Sequence, residues 1–473
     1  MKLAGWMMAM KLVRGGVGAC LAAGLVLGLW MWPTSPTHAQ EGGSLSELAQ
    51  VGPDDYTSRL AQVEATEDGQ DIGASLARRL EDRPLFEMAQ RYEAADATER
   101  RLLAEELERL ASPERWMQAL SREEEARPRF APGRLRGRVR AMGRGAAYVA
   151  YVPEGYTPER EWPVHISLHG GGGSAERNCD EYWDGEPAKR GMILICPETP
   201  KAHWWLPLGE ATVLAALEEA KRLFRIDSDR ISIDGASSGG FGVWHMATKY
   251  PWLFRAAMPR CAATPKDPLV FENLAALPVY MLHGERDGQI RVWHSEKSAE
   301  VLESLDYDVT FEKVPNVGHN FMAERNGALL QWLAPQDRQP QMEFTYHTVA
   351  WGDAPRRLHW LSVDWGDSYA AGVELKGRLE SRQVGGRWRN EVHVDVDPGV
   401  KLRGFTVLLP RNMWQTVEPV KVYFNGRLVK EQRVPPSAEA VLESWVDHHD
   451  EGLLTDRGLR VDLTSERTPL VAR

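Results

Sequence analysis

A serine lies within a run of small residues, Gly235-Ala236-Ser237-Ser238-Gly239-Gly240. The run follows the strand-like Ile231-Ser232-Ile233 and precedes a helical pattern from Phe241 to Tyr250. A sharp strand-to-helix turn crowds the backbone, so small residues must flank the serine at its apex. The same turn sets the Ser237 hydroxyl at a helix N-terminus, whose partial positive charge favours a developing anion. The chemistry this permits is nucleophilic attack by Ser237 on an acyl carbon. A second glycine run, His169-Gly170-Gly171-Gly172-Gly173, directly follows the strand-like Val164 to Leu168. Glycines there let backbone N–H groups approach a substrate oxygen closely. Gly171 and Gly172, with the N–H of Ser238, are the expected donors to an oxyanion. No Gly-Lys-Ser/Thr follows, which disfavours a phosphate-binding loop.

Two downstream loops supply a base and an acid. Asp287 closes His283-Gly284-Glu285-Arg286-Asp287 after the strand-like Val279 to Leu282. His319 lies in Val317-Gly318-His319-Asn320, past Val309 to Val314. His319 would take the Ser237 proton and return it to the leaving group, and Asp287 would hold the imidazole tautomer. Glu285 is the competing acid, and His169, His203, His245, His283 and His294 are the competing bases. The order Ser237, Asp287, His319 and the loop positions favour the first set. His169 and His283 flank glycines where side chains usually bond backbone, and His245 sits inside the helix after the serine.

These loops need a scaffold of alternating strands and helices. The strand-like runs above, with Met192 to Cys196, alternate with helical Ala211 to Phe224 and Phe241 to Tyr250. Such alternation implies a mostly parallel sheet flanked by helices, with chemistry at the carboxyl ends of strands. This α/β region is expected over 133–336. Before it, 40–132 reads as helical and highly charged. Asp96 and Glu99 form a capping box for a helix from Ala97 to Ala111, with Leu102, Leu103, Leu107 and Leu110 as its stripe. That region is expected to pack on, or space, the α/β region that follows.

After it, 337–473 is β-rich, with runs at Met342 to Val349, Leu358 to Asp364, Val392 to Val396, Phe405 to Leu409 and Val420 to Phe424. Asn425-Gly426 marks a hairpin into Arg427-Leu428-Val429. A small antiparallel sandwich or barrel is expected, joined through a polar linker, Asp337-Arg338-Gln339-Pro340-Gln341. It carries Trp351, Trp360, Trp365, Trp388, Trp414 and Trp445. Either these form a polymer- or carbohydrate-binding face, or they pack a stabilising domain. Alternating apolar residues favour the second reading.

Residues 1–39 read as a signal peptide: Lys2, Lys11 and Arg14, then an uncharged apolar run to Trp32, then Thr37-His38-Ala39. Export is expected, with membrane anchorage only if the segment stays uncleaved. A lipid attachment at Cys20 is disfavoured, since Cys20 begins the apolar run instead of following it. The 473 residues carry a net charge of −10, which excludes the basic footprint of a general nucleic-acid binder. Cys179, Cys196 and Cys261 lack metal-ligand spacing, and small buried hydrophobes are the favoured reading, with one disulfide open to any pair. Asp447-His448-His449-Asp450 reads as a solvated stretch, because adjacent side chains on a strand point to opposite faces. No metal and no cofactor are expected.

The middle region resembles the α/β-hydrolase superfamily, through Tyr151 to Tyr156, His169 to Gly173, Ile226-Asp227 with Arg230, Gly235 to Trp244, Tyr250-Pro251 with Phe254, His283-Gly284 with Asp287, and Gly318-His319-Asn320. More closely it resembles secreted serine esterases related to polyhydroxybutyrate depolymerases, feruloyl and acetyl-xylan esterases, and prolyl-oligopeptidase-like hydrolases. The resemblance implies an exported serine hydrolase acting on small-molecule or polymeric esters through an acyl-enzyme. A serine peptidase with the same triad, and an inactive binding protein on the same scaffold, are the alternatives. In that topology His203-Trp204-Trp205 reaches the site's rim, so Trp204 or Trp205 is expected to line an acyl or sugar pocket.

Overall fold

The computed structural model describes residues 84–121, 129–199, 203–349, 354–410, 418–446 and 450–464. The signal segment, Cys20, Trp351, Trp414 and Asp447-His448-His449 lie outside the described residues. Among those described, no helix is long and apolar enough to cross a membrane.

An eight-stranded sheet forms the middle of the chain. Its strands are β1 (Gly133–Ala141), β2 (Arg144–Val152), β3 (Trp162–Leu168), β4 (Ile193–Pro197), β5 (Ile226–Ala236), β6 (Ala256–Arg260), β7 (Val279–Gly284) and β8 (Val309–Val314). Their order is β1-β2-β4-β3-β5-β6-β7-β8. β1 and β2 form an antiparallel hairpin and β2 pairs antiparallel with β4. From β4 onward every pairing is parallel. Strands β4, β6 and β7 are buried throughout, as a parallel sheet covered on both faces requires. β1 is different: it exposes Arg134, Arg136, Arg138 and Arg140 by turns, and those charges guard the sheet's edge. The main covering helices are α1 (Pro207–Leu223), α2 (Ser238–Lys249), α3 (Trp293–Ser304) and α4 (Asn326–Leu333).

The chain leaves β3 towards β4 and then returns to β3's other side with β5. The carboxyl ends of β3 and β5 are therefore a topological switch point, the place where such sheets open a crevice. Leu168 pairs with Gly235 there, so the two glycine-rich loops emerge side by side.

The C-terminal region is two sheets sharing one apolar core, with inward Leu361, Val363, Phe405 and Val407 from one sheet and Leu375, Leu379, Val392 and Val422 from the other. Strand order is β10-β11-β14-β17 in the first and β16-β15-β13-β12-β9 in the second. Their bounds are β9 (Glu343–His347), β10 (Arg357–Leu358), β11 (Leu361–Asp364), β12 (Glu374–Val384), β13 (Arg387–Val396), β14 (Gly404–Leu408), β15 (Val420–Phe424), β16 (Arg427–Gln432) and β17 (Gly458–Asp462). Pairing is antiparallel except between β13 and β15. Asn425 and Gly426 both take positive φ, 47° and 72°, as a two-residue hairpin turn demands. The run Leu358 to Asp364 is not one strand: it folds back at His359-Trp360, with His359 at φ 52°. Trp360, Trp365 and Trp445 are core residues.

Two expectations about organisation need correction. The helices at 84–94, Ala97–Leu110 and Pro113–Ser121 pack on α5 (Ala438–Trp445) of the C-terminal region, through Leu103, Leu107, Trp116, Val441 and Leu442. Their apolar core thus forms with a segment more than 300 residues away, while the α/β region meets them across a cavity lined by Met117, Ser121, Asp229 and Trp252. The Asp96 side chain does accept from the Glu99 N–H. Only Leu103 and Leu107 of the expected stripe are buried, while Leu102 is 77% exposed. Arg100 closes the joint with a buried ion pair to Glu443 at 3.1 Å. The second correction concerns Asp337 to Gln341, which is a weld and not a polar spacer. Arg338 is buried, and it reaches Asp450 at 2.6 Å, Asp229 at 2.7 Å and the Trp252 carbonyl at 3.0 Å.

Candidate active site

Ser237 sits between β5 and α2 at φ 55°, ψ −118°. A non-glycine residue in that conformation is strained and persists only where its surroundings over-determine it. The surroundings are close backbone contacts. A Cβ on Gly239 would lie 2.0 Å from the Leu168 carbonyl oxygen, and one on Gly240 would lie 2.8 Å from that of Arg260. The Ser237 N–H donates to the Arg260 carbonyl at 2.9 Å, and the Ser237 carbonyl accepts from Phe241 at 3.0 Å.

The glycine loop after β3 lies against this turn. A Cβ on Gly170 would come 3.7 Å from the Ser237 Cβ, and one on Gly171 3.9 Å from the Ser238 Cβ. Gly172 takes φ 71°, and Gly173 donates back to the Gly170 carbonyl at 3.0 Å. Trp204 fixes the start of the loop: its Nε1 donates to the His169 carbonyl at 2.9 Å and its ring meets the His169 ring edge-on at 5.0 Å. Trp204 has no exposed surface, so it supports the loop from beneath and offers no face to a substrate. Trp205 is half-buried, stacked on His203 at 4.5 Å and set 5.4 Å from Phe241, one turn into α2.

The acid and base loops meet at the carboxyl ends of β7 and β8. Gly284 permits it, since a Cβ there would lie 2.3 Å from the Gly318 carbonyl oxygen. The Asp287 Oδ2 lies 2.7 Å from His319 Nδ1, while Oδ1 accepts from the N–H groups of Gln289 and Ile290, each at 2.9 Å. Burial works to raise the Asp287 pKa, but His319 and those two amides outweigh it and hold the carboxyl below its ordinary value. The Asp287 side chain is buried and that of His319 is 16% exposed, so one end of the imidazole is anchored and the ring stays accessible. Glu285 is exposed and accepts from the Asn316 N–H, while the His319 Nδ1 is engaged by Asp287. His283 is spent on structure, with Nδ1 2.8 Å from Ser295 Oγ and Nε2 2.8 Å from the Ile290 carbonyl. His245 is buried 2.5 Å from Glu210, and His294 stacks on Trp293 at 3.8 Å.

Cys179 and Cys196 form a disulfide, with Cα atoms 6.0 Å apart, which corrects their reading as plain buried hydrophobes. Cys261 is a free, buried thiol whose pKa burial raises to about 11. Among the described residues, two groups bring metal-type donors within 4.8 Å of one another, Cys261–His283–Asp287 and Glu272–His347–Glu374. In the first, Asp287 and both His283 nitrogens are already engaged as described. In the second, His347 Nε2 lies 3.1 Å from Glu272 Oε2, within hydrogen-bond distance.

One set of residues near the site has no counterpart in the sequence reading. Asp234, Arg260, Ser167 and Trp183 form a buried polar network beneath the turn. Its signal in the sequence is partial: Arg260 ends the otherwise apolar β6, whereas Asp234 is one of several charged residues in β5, with Asp227, Asp229 and Arg230.

Residues 166–334 match the phospholipase/carboxylesterase family model. No curated protein matches the chain. Among solved structures it is similar to a thermostable esterase, at 23% identity over 43% of this chain and 63% of the other, with a TM-score of 0.39. A ferulic acid esterase is similar at 16% identity over 43% of this chain and 97% of the other, with a TM-score of 0.38. Dipeptidyl peptidase 4 of Porphyromonas gingivalis is similar at 13% identity over 44% of this chain and 36% of the other, with a TM-score of 0.37. The chain spans less than two thirds of the length of the first and the last of these. The sheet order and the family match over 166–334 agree on an α/β-hydrolase sheet flanked by helices; the β-rich C-terminal region lies beyond the match.

Proposed function

We propose that the chain is an exported serine hydrolase that cleaves carboxylic esters through an acyl-enzyme. The observation that carries this reading is Ser237, held at φ 55° on a strand-to-helix turn with the glycine loop against it. In the reaction His319 takes the Ser237 proton as Oγ bonds to the ester carbon. The carbonyl oxygen becomes an oxyanion, held by the N–H of Ser238 and of Gly171 or Gly172. The C–O bond to the alcohol breaks, and the proton on His319 leaves with the alcohol oxygen. Water then attacks the acyl-enzyme carbon as one of its protons passes to His319; the bond from that carbon to Ser237 Oγ breaks, the acid leaves, and His319 returns the proton to Oγ. Asp287 keeps the His319 proton on Nδ1 and stabilises the imidazolium. No metal or cofactor takes part.

The Cys179–Cys196 disulfide supports export, since such bonds persist in oxidising compartments. Trp205, with His203 and Phe241, supplies an aromatic wall for an acyl or sugar ring. Trp205→Ala is then expected to shift substrate preference, and unchanged preference removes that assignment.

The test is labelling with a fluorophosphonate probe, wild type against Ser237→Ala, beside short p-nitrophenyl esters and peptide anilides. Labelling lost in the variant, with ester but not anilide turnover, is the expected result. Anilide turnover selects the peptidase, and an unlabelled folded wild type selects the inactive binding protein.

A further inference from the structure

The geometry points to Arg260 as a positioning residue that holds the nucleophile turn and the base loop in one register, keyed through Asp234. The inference rests on the serine-hydrolase reading of the same site and names a residue outside the triad and oxyanion loop.

Arg260 ends β6, the strand next to β5. It meets two catalytic elements directly, the nucleophile turn and the base loop. Its carbonyl accepts the Ser237 N–H at 2.9 Å. Its Nε reaches Oδ2 of Asp234, on β5 three residues before Ser237, at 2.6 Å. Its Nη1 donates to the Phe321 carbonyl at 3.1 Å, two residues past His319, and to Asn326 Oδ1 at 2.8 Å. The guanidinium also lies 4.1 Å from the Phe321 ring centroid and 4.9 Å from that of Trp183. Asp234 extends the network to the third element. Its Oδ1 accepts from Ser167 Oγ at 2.6 Å and from Trp183 Nε1 at 3.2 Å. Ser167 is two residues before His169, at the root of the glycine loop, and Asn178 donates to its Oγ at 2.9 Å. Nucleophile, base and oxyanion loops thus share one ion pair.

Both partners are fully buried. A buried ion pair is poor evidence for stability, because well-packed apolar residues of the same volume often do as well. What apolar residues cannot do is hold two loops at hydrogen-bond distance in fixed directions. A planar guanidinium does this through its rigid fork of donors, which lysine lacks. His165 lies 3.9 Å from Asp234, and burial lowers its pKa to about 4, so it is neutral when the enzyme works and leaves Arg260 as the counter-charge to Asp234.

The experiment compares wild type, Arg260→Lys and the double variant Asp234→Asn/Arg260→Met. It follows kcat and KM for a p-nitrophenyl ester across pH, the fluorophosphonate labelling rate, and circular dichroism. The double variant removes the pair without stranding a charge, so it is expected to fold. Its kcat is expected to fall about a hundredfold, as a slight misplacement of reacting groups costs. KM is expected to stay within a few-fold, and labelling to slow in parallel. Arg260→Lys keeps the charge but not the fork, and is expected to lose about tenfold. If the double variant does not fold, Arg260→Lys decides alone. A folded variant with wild-type kcat and labelling overturns the inference and leaves the serine-hydrolase reading intact. An unlabelled wild type overturns both.

Discussion

The eight-stranded sheet and the C-terminal β region both bury charge, but in different places. At the ends of the sheet's parallel strands lie Asp234 with Arg260, at β5 and β6, and Asp287 beside His319, beyond β7 and β8, while Glu210 with Lys249 is buried between the covering helices α1 and α2. In the C-terminal region they lie along seams. Glu443 takes Arg100 and Tyr92 from the N-terminal helices and Ser362 from β11. Asp450 takes Arg338 from the connecting segment and Lys221 from α1. Burial works to raise the Asp450 pKa, but Arg338 and Lys221 outweigh it and hold the carboxyl far below its ordinary value. The same interaction serves a site in one region and an assembly in the other. The loops at strand ends carry directional geometry for a reaction, whereas the seams join segments remote in sequence.

That contrast makes variants separable by readout. The largest effect is expected from Asp287→Asn, which leaves the fold intact and lowers kcat on the order of 10⁴-fold by releasing the His319 tautomer. An active Asp287→Asn would move the acid role elsewhere. Next comes Arg338→Met, which leaves Asp450 the more distant Lys221 as its buried countercharge and is expected to cost about 3 kcal/mol of stability, the low end for a broken buried pair, with kcat unchanged at 25 °C. Denaturant unfolding followed beside initial rates would check it, and a kcat loss without a stability loss would erase the contrast.

Replacing Cys179 and Cys196 with Ala opens a loop of 17 residues and is expected to cost about 3 kcal/mol by the same assay. Acid should weaken the protein at the sheet itself. His165 is held neutral at a pKa of about 4, so the unfolded chain binds its proton first as pH falls. Stability from this group is full above about pH 6.5 and is lost progressively down to about pH 4. Thermal melts of wild type and His165→Gln across that window would show the variant less pH-sensitive. The smallest effect belongs to the N-terminal helices' outer face: Leu102→Ser should change stability by less than about 0.5 kcal/mol, against about 2–5 kcal/mol for Leu107→Ala.

Much of the sheet was legible because parallel strands buried on both faces read as continuous apolar runs. β4 and β7 are of this kind; Val309 to Val314 and, in the C-terminal region, Val420 to Phe424 mix polar with apolar residues, yet appear with the bounds their patterns suggest. β1 escaped notice because its alternating arginines look like no core strand, though an edge strand needs just that. β6 was hidden by its shortness and by Arg260 within it.

The local sequence determined what a few bonded neighbours can dictate: glycines at a tight turn, Asn425-Gly426 in a hairpin, an acid and a histidine in loops after strands. These depend on backbone sterics and periodicity, which act over a handful of residues. Tertiary structure decided what depends on distance in space: that Trp204 is a prop while Trp205 keeps an open face, that Cys179 meets Cys196 and not Cys261, that Arg338 welds instead of linking. It also decided that helices near residue 100 close on Glu443. Burial and charge pairing are properties of the packed chain, since each partner's environment is made by segments its own neighbourhood does not contain.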